Sequence, residues 1–176
     1  MRLLKDYERV LTFCKVFLKG ESFVNYKGKE LANAILFPME QIFEDYIAYL
    51  VKKYYKENWN VNIQKGGKHL IEKPERFNLV PDIILENGEG KIIIDTKWKI
   101  LNKNDERNNY GISQSDLYQM YAYAKKYKAN KVILIYPHTD NFPKEQNWQF
   151  EKNISLSIVP AKLSYVIGDE AEVFKF

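Results

Sequence analysis

The chain has 176 residues, 45% of them hydrophobic, and a formal net charge of +4; that length and apolar content suit one globular domain with a sizeable core and exclude a disordered chain. No stretch approaches the roughly 18 to 20 consecutive apolar residues of a membrane helix, charges in Met1–Asp6 stand where a signal peptide needs its apolar run, and Cys14 is the single cysteine, so an intrachain disulfide and a cysteine metal cluster are excluded and a cytoplasmic location is expected. The mild positive charge favours an anionic partner, and with Arg2, Arg9, Arg76 and Arg107 the only arginines, contacts to nucleic acid are expected to reach phosphates through lysines rather than base edges.

Leu3, Leu4, Tyr7, Val10, Leu11, Cys14, Phe17 and Leu18 recur at helix spacing, which predicts a helix over 3–18 ended by Gly20. Residues 21–36 read as irregular, and the first 36 residues as a helical segment packed on the core. A second helix is expected from about Pro38 to Tyr55, with proline suited to its first turn and Met39, Phe43, Tyr46, Ile47, Leu50 and Tyr54 on its apolar face. Short strands follow near Trp59–Ile63 and His69–Glu72. Leu79–Leu85 and Lys91–Trp98 then form a hairpin around the turn residues Glu86–Gly90. Consecutive apolar residues in Ile83-Ile84-Leu85 and Ile92-Ile93-Ile94 predict central strands covered on both faces. A polar loop over 101–112 precedes a third helix, Ser113–Tyr127, whose core stripe is expected at Leu117, Met120, Tyr121 and Ala124. Strands at Val132–Tyr136 and Ile154–Val159 complete an α/β sandwich, a mixed central β-sheet flanked by helices, in one domain over 37–176.

The hairpin register carries the chemistry. A turn centred between Gly88 and Glu89 sets Asp82 opposite Asp95 and Val80 opposite Lys97; a shift of one residue, which the turn length leaves open, would spoil this direct pairing. Directly opposite residues share a face with Cβ atoms about 5 Å apart, and strand alternation puts positions 95 and 97 on one face. Two carboxylates and an ammonium thus meet on an otherwise apolar strand pair. Two such carboxylates repel in a low-dielectric interior, and a hard cation relieves the conflict: Mg²⁺, or Mn²⁺, takes carboxylate oxygens and also binds phosphate. Lys97 would orient or help deprotonate an attacking water, or offset transition-state charge. The competing reading is a Lys97 salt bridge on a sheet; buried-looking strands weaken it, because unpaired charge there is costly.

Glu44 lies on the stripe of Ile47, Ala48 and Val51 and could reach the metal from the second helix; it could equally be an acid favoured by the helix dipole, like Glu40 and Asp45. Gln119 and Tyr123, one turn apart, could face the acids or a DNA strand, or simply mark the edge of an amphipathic helix. Ser113 and Asp116 read as a capping-box variant. His69, His138, Cys14, Trp59, Trp98 and Trp148 read as structural or surface residues, and no glycine-rich phosphate loop is present.

Phe37-Pro38-Met39-Glu40-Gln41-Ile42-Phe43-Glu44, Val80-Pro81-Asp82, Ile94-Asp95-Thr96-Lys97-Trp98-Lys99 and Ser113 through Tyr123, in this order, resemble the McrC family, the nuclease subunits of McrBC-type modification-dependent restriction systems. Gln119-x-x-x-Tyr123 is also similar to an element of RecB-like nucleases. The resemblance implies a restriction-endonuclease-like core of the PD-(D/E)XK class, Mg²⁺-dependent cleavage of modified-cytosine DNA, and an McrB-like AAA+ GTPase as partner. It implies Asp82, Asp95 and Lys97 as the catalytic set, Glu44 as a further catalytic acid and metal ligand beside Asp82 and Asp95, and Gln119 and Tyr123 as accessory DNA-site residues. McrC proteins usually carry a substantial domain before this region, whereas here the match begins at Phe37. Two other expectations are an idle module that docks the GTPase, and a nuclease acting alone in repair; the intact Asp82, Asp95 and Lys97 argue against the first, and the lack of a base-reading element against the second cutting a defined sequence.

Overall fold

The computed structural model describes residues 38–163. The chain divides into two compact units, Met1–Pro38 and Met39–Phe176; the helix expected over 3–18, the irregular segment after it, their packing and Cys14 all lie outside the described residues. The second unit runs α1 (Met39–Tyr55), β1 (Asn60–Ile63), β2 (Lys68–Glu72), β3 (Glu75–Leu79), β4 (Ile83–Asn87), β5 (Gly90–Thr96), a short 3-10 segment (Glu106–Gly111), α2 (Gln114–Tyr127), β6 (Lys131–Pro137), β7 (Gln146–Glu151) and β8 (Ile154–Ala161). Six strands form one mixed sheet in the order β1-β4-β5-β6-β8-β7, and β2 and β3 form a separate two-stranded sheet. β5, β6 and β8 are parallel neighbours, and α2 makes the crossover that a parallel β5–β6 pair requires.

The helices form where local chemistry and core spacing agree. α1 has Glu40 in its first turn and Lys52 and Lys53 in its last, matching the helix dipole. Its Phe43, Ile47, Leu50 and Val51 pack with Ile83, Leu85, Ile94, Ile133, Ile135 and Val159 on one face of the sheet. α2 starts at Ser113, whose side chain accepts from the Asp116 backbone N–H at 3.2 Å, and ends at Lys128 in the left-handed conformation. It covers the opposite face, packing Met120, Tyr123, Ala124 and Tyr127 with Ile84, Ile93, Val132, Leu134, Leu156 and Ile158. Central strands are therefore apolar on both faces, as their consecutive aliphatics predict. The buried stripe of α2 is rotated from the expected one: Asp116 and Tyr123 are inside, Leu117 is half-buried, and Tyr121 is exposed.

The β4–β5 register is the expected one. Ile83 pairs with Ile94, Ile84 with Ile93, and Asn87 with Gly90. Asn87 Oδ1 closes the turn by accepting from Glu89 N at 2.9 Å and Gly90 N at 3.1 Å. At Gly90 an added Cβ would stand 2.8 Å from Asn130 Oδ1, and that amide also accepts from Lys91 N at 3.2 Å, so the glycine admits the turn that follows α2.

The expected strand over 79–85 is a correction. The chain leaves β3 at Leu79, breaks over Val80–Asp82 and joins the large sheet at Ile83. Pro81 has no N–H to give a ladder. The carbonyls of Leu79 and Val80 turn instead to α2, accepting from Tyr127 Oη at 2.7 Å and Tyr123 Oη at 3.2 Å. Likewise the second strand ends at Thr96, before Trp98. Among the described residues no helix is long and apolar enough to cross a membrane.

Candidate active site

The site forms where β4 begins and β5 ends. Asp82 stands in the bend just before Ile83, whose ladder partner is Ile94, and so lies beside the end of β5; Asp95 alternates with Ile93 toward the α2 face. Asp82 is held by Thr96: its Oδ2 accepts from the Thr96 backbone N–H at 2.7 Å and from the hydroxyl at 2.9 Å. Asp95 is 2% exposed. Lys97 Nζ lies 2.6 Å from Asp95 Oδ2, so the ammonium is the counter-charge of that buried oxygen, which has no other donor among the described residues.

From the sequence Gln119 and Tyr123 either face this group or a DNA strand, or mark the edge of an amphipathic helix; in the structure they form a hydrogen-bonded run that starts at Lys97. Lys97 Nζ donates to Gln119 Oε1 at 3.1 Å, Gln119 Nε2 donates to Tyr123 Oη at 2.9 Å, and Tyr123 Oη donates to the Val80 carbonyl at 3.2 Å. Every donor in this run has its acceptor. The run ties the end of β5 to the segment just before Asp82, so one helix fixes Lys97 and Asp82 in a common frame. Burial and then Asp95 push the Tyr123 hydroxyl up to about 12, which keeps it protonated and able to donate.

The acids bear the mark of crowding. Burial, and next the charge of Asp82, push the Asp95 carboxyl up to about 7. Burial also raises Asp82, against the two Thr96 hydrogen bonds that lower it. Burial opposes the Lys97 ammonium, but Asp95, Asp116 and Asp82 together more than offset it, and the net shift is upward. Glu44 lines the same cleft of about 320 Å³ as Asp82, Thr96 and Lys97. It accepts from Gln64 Nε2 at 2.7 Å, and its carboxyl is raised first by burial and also by Asp82.

Asp116 and Lys99 complete the cleft wall, and they are the residues that sequence reasoning missed. Asp116 is 7% exposed and binds Lys99 Nζ at 2.7 Å. Reading it as the acid of a capping-box variant sends its carboxylate back to the Ser113 backbone N–H, whereas the structure gives that carboxylate Lys99 as its partner. The signal was available: positions 116, 120, 123 and 127 follow one helical stripe, and an acid on that stripe must face inward. The remaining candidates do structural work. Trp98 packs on Phe43 with ring centroids 5.4 Å apart, His138 stacks on Phe142, His69 lies 3.9 Å from Glu75, and Trp59 and Trp148 pack against the two cores.

Among the described residues no three of His, Cys, Asp and Glu stand close enough to form a complete metal cage, so Asp82, Asp95 and Glu44 do not close into one three-carboxylate cluster. Asp82 and Asp95 remain a suitable pair for a hard cation. Both carboxylates are raised, and Asp95 Oδ2 has the Lys97 ammonium alone as its partner among the described residues. Mg²⁺ needs only one or two protein carboxylates, keeping waters or substrate phosphate in its other positions.

A mixed sheet between two helices, with acids and a lysine at the junction of an antiparallel pair and a parallel neighbour, defines a restriction-endonuclease-like α/β domain. A chain in the half-complex from the tetradecameric assembly of Thermococcus gammatolerans McrB AAA+ hexamers with bound McrC has the same fold, with a TM-score of 0.65 and 14% identity, over 98% of this chain and 37% of that one. Residues 1–137 match the family described as McrBC 5-methylcytosine restriction system component, and the chain belongs to that family. No curated protein matches it. The chain spans little more than a third of the structural neighbour's length.

Proposed function

We propose that this chain is the DNA-cleaving module of a McrBC-type restriction system, hydrolysing phosphodiester bonds in DNA that carries modified cytosine with Mg²⁺, or Mn²⁺, as cofactor. The carrying observation is the convergence of Asp82, Asp95 and Lys97 at one end of the sheet, with Lys97 Nζ 2.6 Å from a carboxylate that is buried to 2% exposure. Asp82 and Asp95 would hold the cation, and Glu44 on the cleft wall adds negative charge that favours it. Bound there, the ion would supply positive charge to the phosphate and acidify a coordinated water.

The chain's own residues do the rest. Lys97, kept protonated by Asp95, presents an ammonium to the charge that builds on the phosphate oxygens as the bond from water to phosphorus forms and the bond to the leaving oxygen breaks. Gln119 and Tyr123 hold that ammonium in place, and the paired donors of Thr96 fix the Asp82 carboxylate. The family description and the McrB assembly that holds the structural neighbour support an AAA+ GTPase as partner. With no motor segment or base-reading element evident, the chain alone is expected to cut slowly and without sequence preference.

The test mixes the purified chain with cytosine-methylated and unmethylated plasmid, in Mg²⁺ or Mn²⁺, with and without the neighbouring AAA+ GTPase. Metal-dependent nicking that rises with the GTPase and disappears in Asp95→Asn is expected. Absence of cleavage in every combination would remove the proposal.

A further inference from the structure

A second surface on α2 has no part in the chemistry described above. The β2–β3 hairpin lies beside the last turns of this helix, held by Tyr127 Oη against the Leu79 carbonyl at 2.7 Å and by Lys126 Nζ against Glu72 Oε1 at 3.0 Å. Between the two runs a cleft of about 360 Å³, walled by Lys68, Lys125, Lys126 and Lys128 against Glu72 and Glu75. Lys126 is matched by Glu72, and Lys125 by Glu151. Among the described residues Lys68 and Lys128 have no carboxylate within ion-pair distance, and both side chains are exposed.

The hairpin is also unusually bare. Leu70, Ile71 and Phe77 are 47%, 42% and 67% exposed, and a two-stranded sheet has little stability of its own. Exposed lysines outside any ion pair on both walls of a groove fit a polyanion whose charges repeat along a line, although Lys68 also lies in the field of Glu72. From Gln119, which holds Lys97, to Lys128 is about 13 Å of helix at 1.5 Å per residue. That length is the rise of about four base pairs of duplex.

We propose that the groove between the β2–β3 hairpin and the C-terminal end of α2 is a DNA-backbone track, in which Lys68 and Lys128 contact phosphates about four base pairs from the bond presented to Asp82, Asp95 and Lys97. The proposal rests on the reading of the chain as a DNA-cleaving module. The track positions the duplex and reads no bases, because lysine meets phosphate as a point charge.

The test uses the full chain in EDTA, where cleavage cannot occur, and a fluorescent duplex of arbitrary sequence followed by anisotropy across a range of salt. The variant is Lys68→Gln with Lys128→Asn; asparagine tolerates the left-handed backbone at position 128, where φ is 56°. The slope of log K against log salt should fall by about 2, one per lysine, and the association constant at 0.1 M salt should drop roughly eightfold per lysine. An unchanged slope and affinity in the variant would overturn the track and leave the nuclease reading standing. If the unaltered chain fails to bind the duplex even at low salt, the nuclease reading fails and the track with it.

Discussion

Replacing Asp95 by Asn separates a catalytic carboxylate from a structural ion pair. The Asp95 carboxyl rises from 3.8 to about 7 on folding, chiefly through burial and then through Asp82. Because the folded value lies above the unfolded one, the folded chain holds this proton more tightly. The contribution of this group to stability is therefore fully present in acid, falls away as pH climbs from about 4 to about 7, and is constant above that. A shift of about 3 pH units at 1.36 kcal/mol each amounts to about 4 kcal/mol at pH 8, as a ceiling. Asn fills the same space without the charge, so the variant should match the parent at pH 4 and exceed it at pH 8 by up to this amount. For a chain of this size that is a rise in Tm of about 3 °C per kcal/mol. The assay is thermal unfolding of parent and variant in EDTA at pH 4, 6 and 8, beside Mn²⁺ titration by calorimetry and plasmid cleavage with the partner GTPase. The variant should lose cleavage and most Mn²⁺ affinity while becoming the more stable protein at high pH. A variant that melts lower than the parent at pH 8 would refute the reasoning, since the Lys97–Asp95 contact would then be a net stabilising salt bridge.

Lys97→Ala should also stop cleavage but leave Mn²⁺ affinity equal or higher, because an ammonium is not a ligand and its removal deletes a competing charge; weaker Mn²⁺ binding by calorimetry would contradict this. Tyr123→Phe removes the bond to Val80 and the acceptor for Gln119, and should cost about 1 kcal/mol in denaturant unfolding together with a several-fold loss of cleavage rate as Lys97 loses its anchor. Ile94→Ala, at a fully buried position between α1 and the sheet, should cost about 2–5 kcal/mol in the same unfolding measurement and leave the cleavage of the surviving folded protein intact.

What could be read from the sequence divides by physical cause. The β4–β5 register could be proposed from a Gly88-Glu89 turn between two aliphatic runs, but strands apolar on both faces also tolerate a one-residue slip, and the structure settles the pairing at Ile83–Ile94. α1 and the Ser113 cap were legible because spacing and end chemistry agree. The β2–β3 hairpin was half read: β2 was placed, but the first strand of the catalytic pair was started too early, at Leu79. What separates β3 from β4 is a tertiary event, the capture of the Leu79 and Val80 carbonyls by Tyr127 and Tyr123 from a helix more than 40 residues away. The edge strand β7 escaped because its inward residues, Trp148 and Phe150, alternate with Asn147 and Gln149 in a stretch that reads as polar loop. The inward turn of Asp116 was hidden by its double use, with its backbone at the cap and its carboxylate in the cleft.

The outer strand β7 also bears on how copies of this chain can meet. Its outward side chains are Asn147, Gln149 and Glu151, all exposed, and its register with β8 slips between Gln149 and Glu151. Polar side chains and a pairing irregularity are the means by which natural sheets discourage a foreign strand from adding to an open border. Ribbon growth along this border is therefore disfavoured, and copies of this chain are not expected to join their sheets through β7.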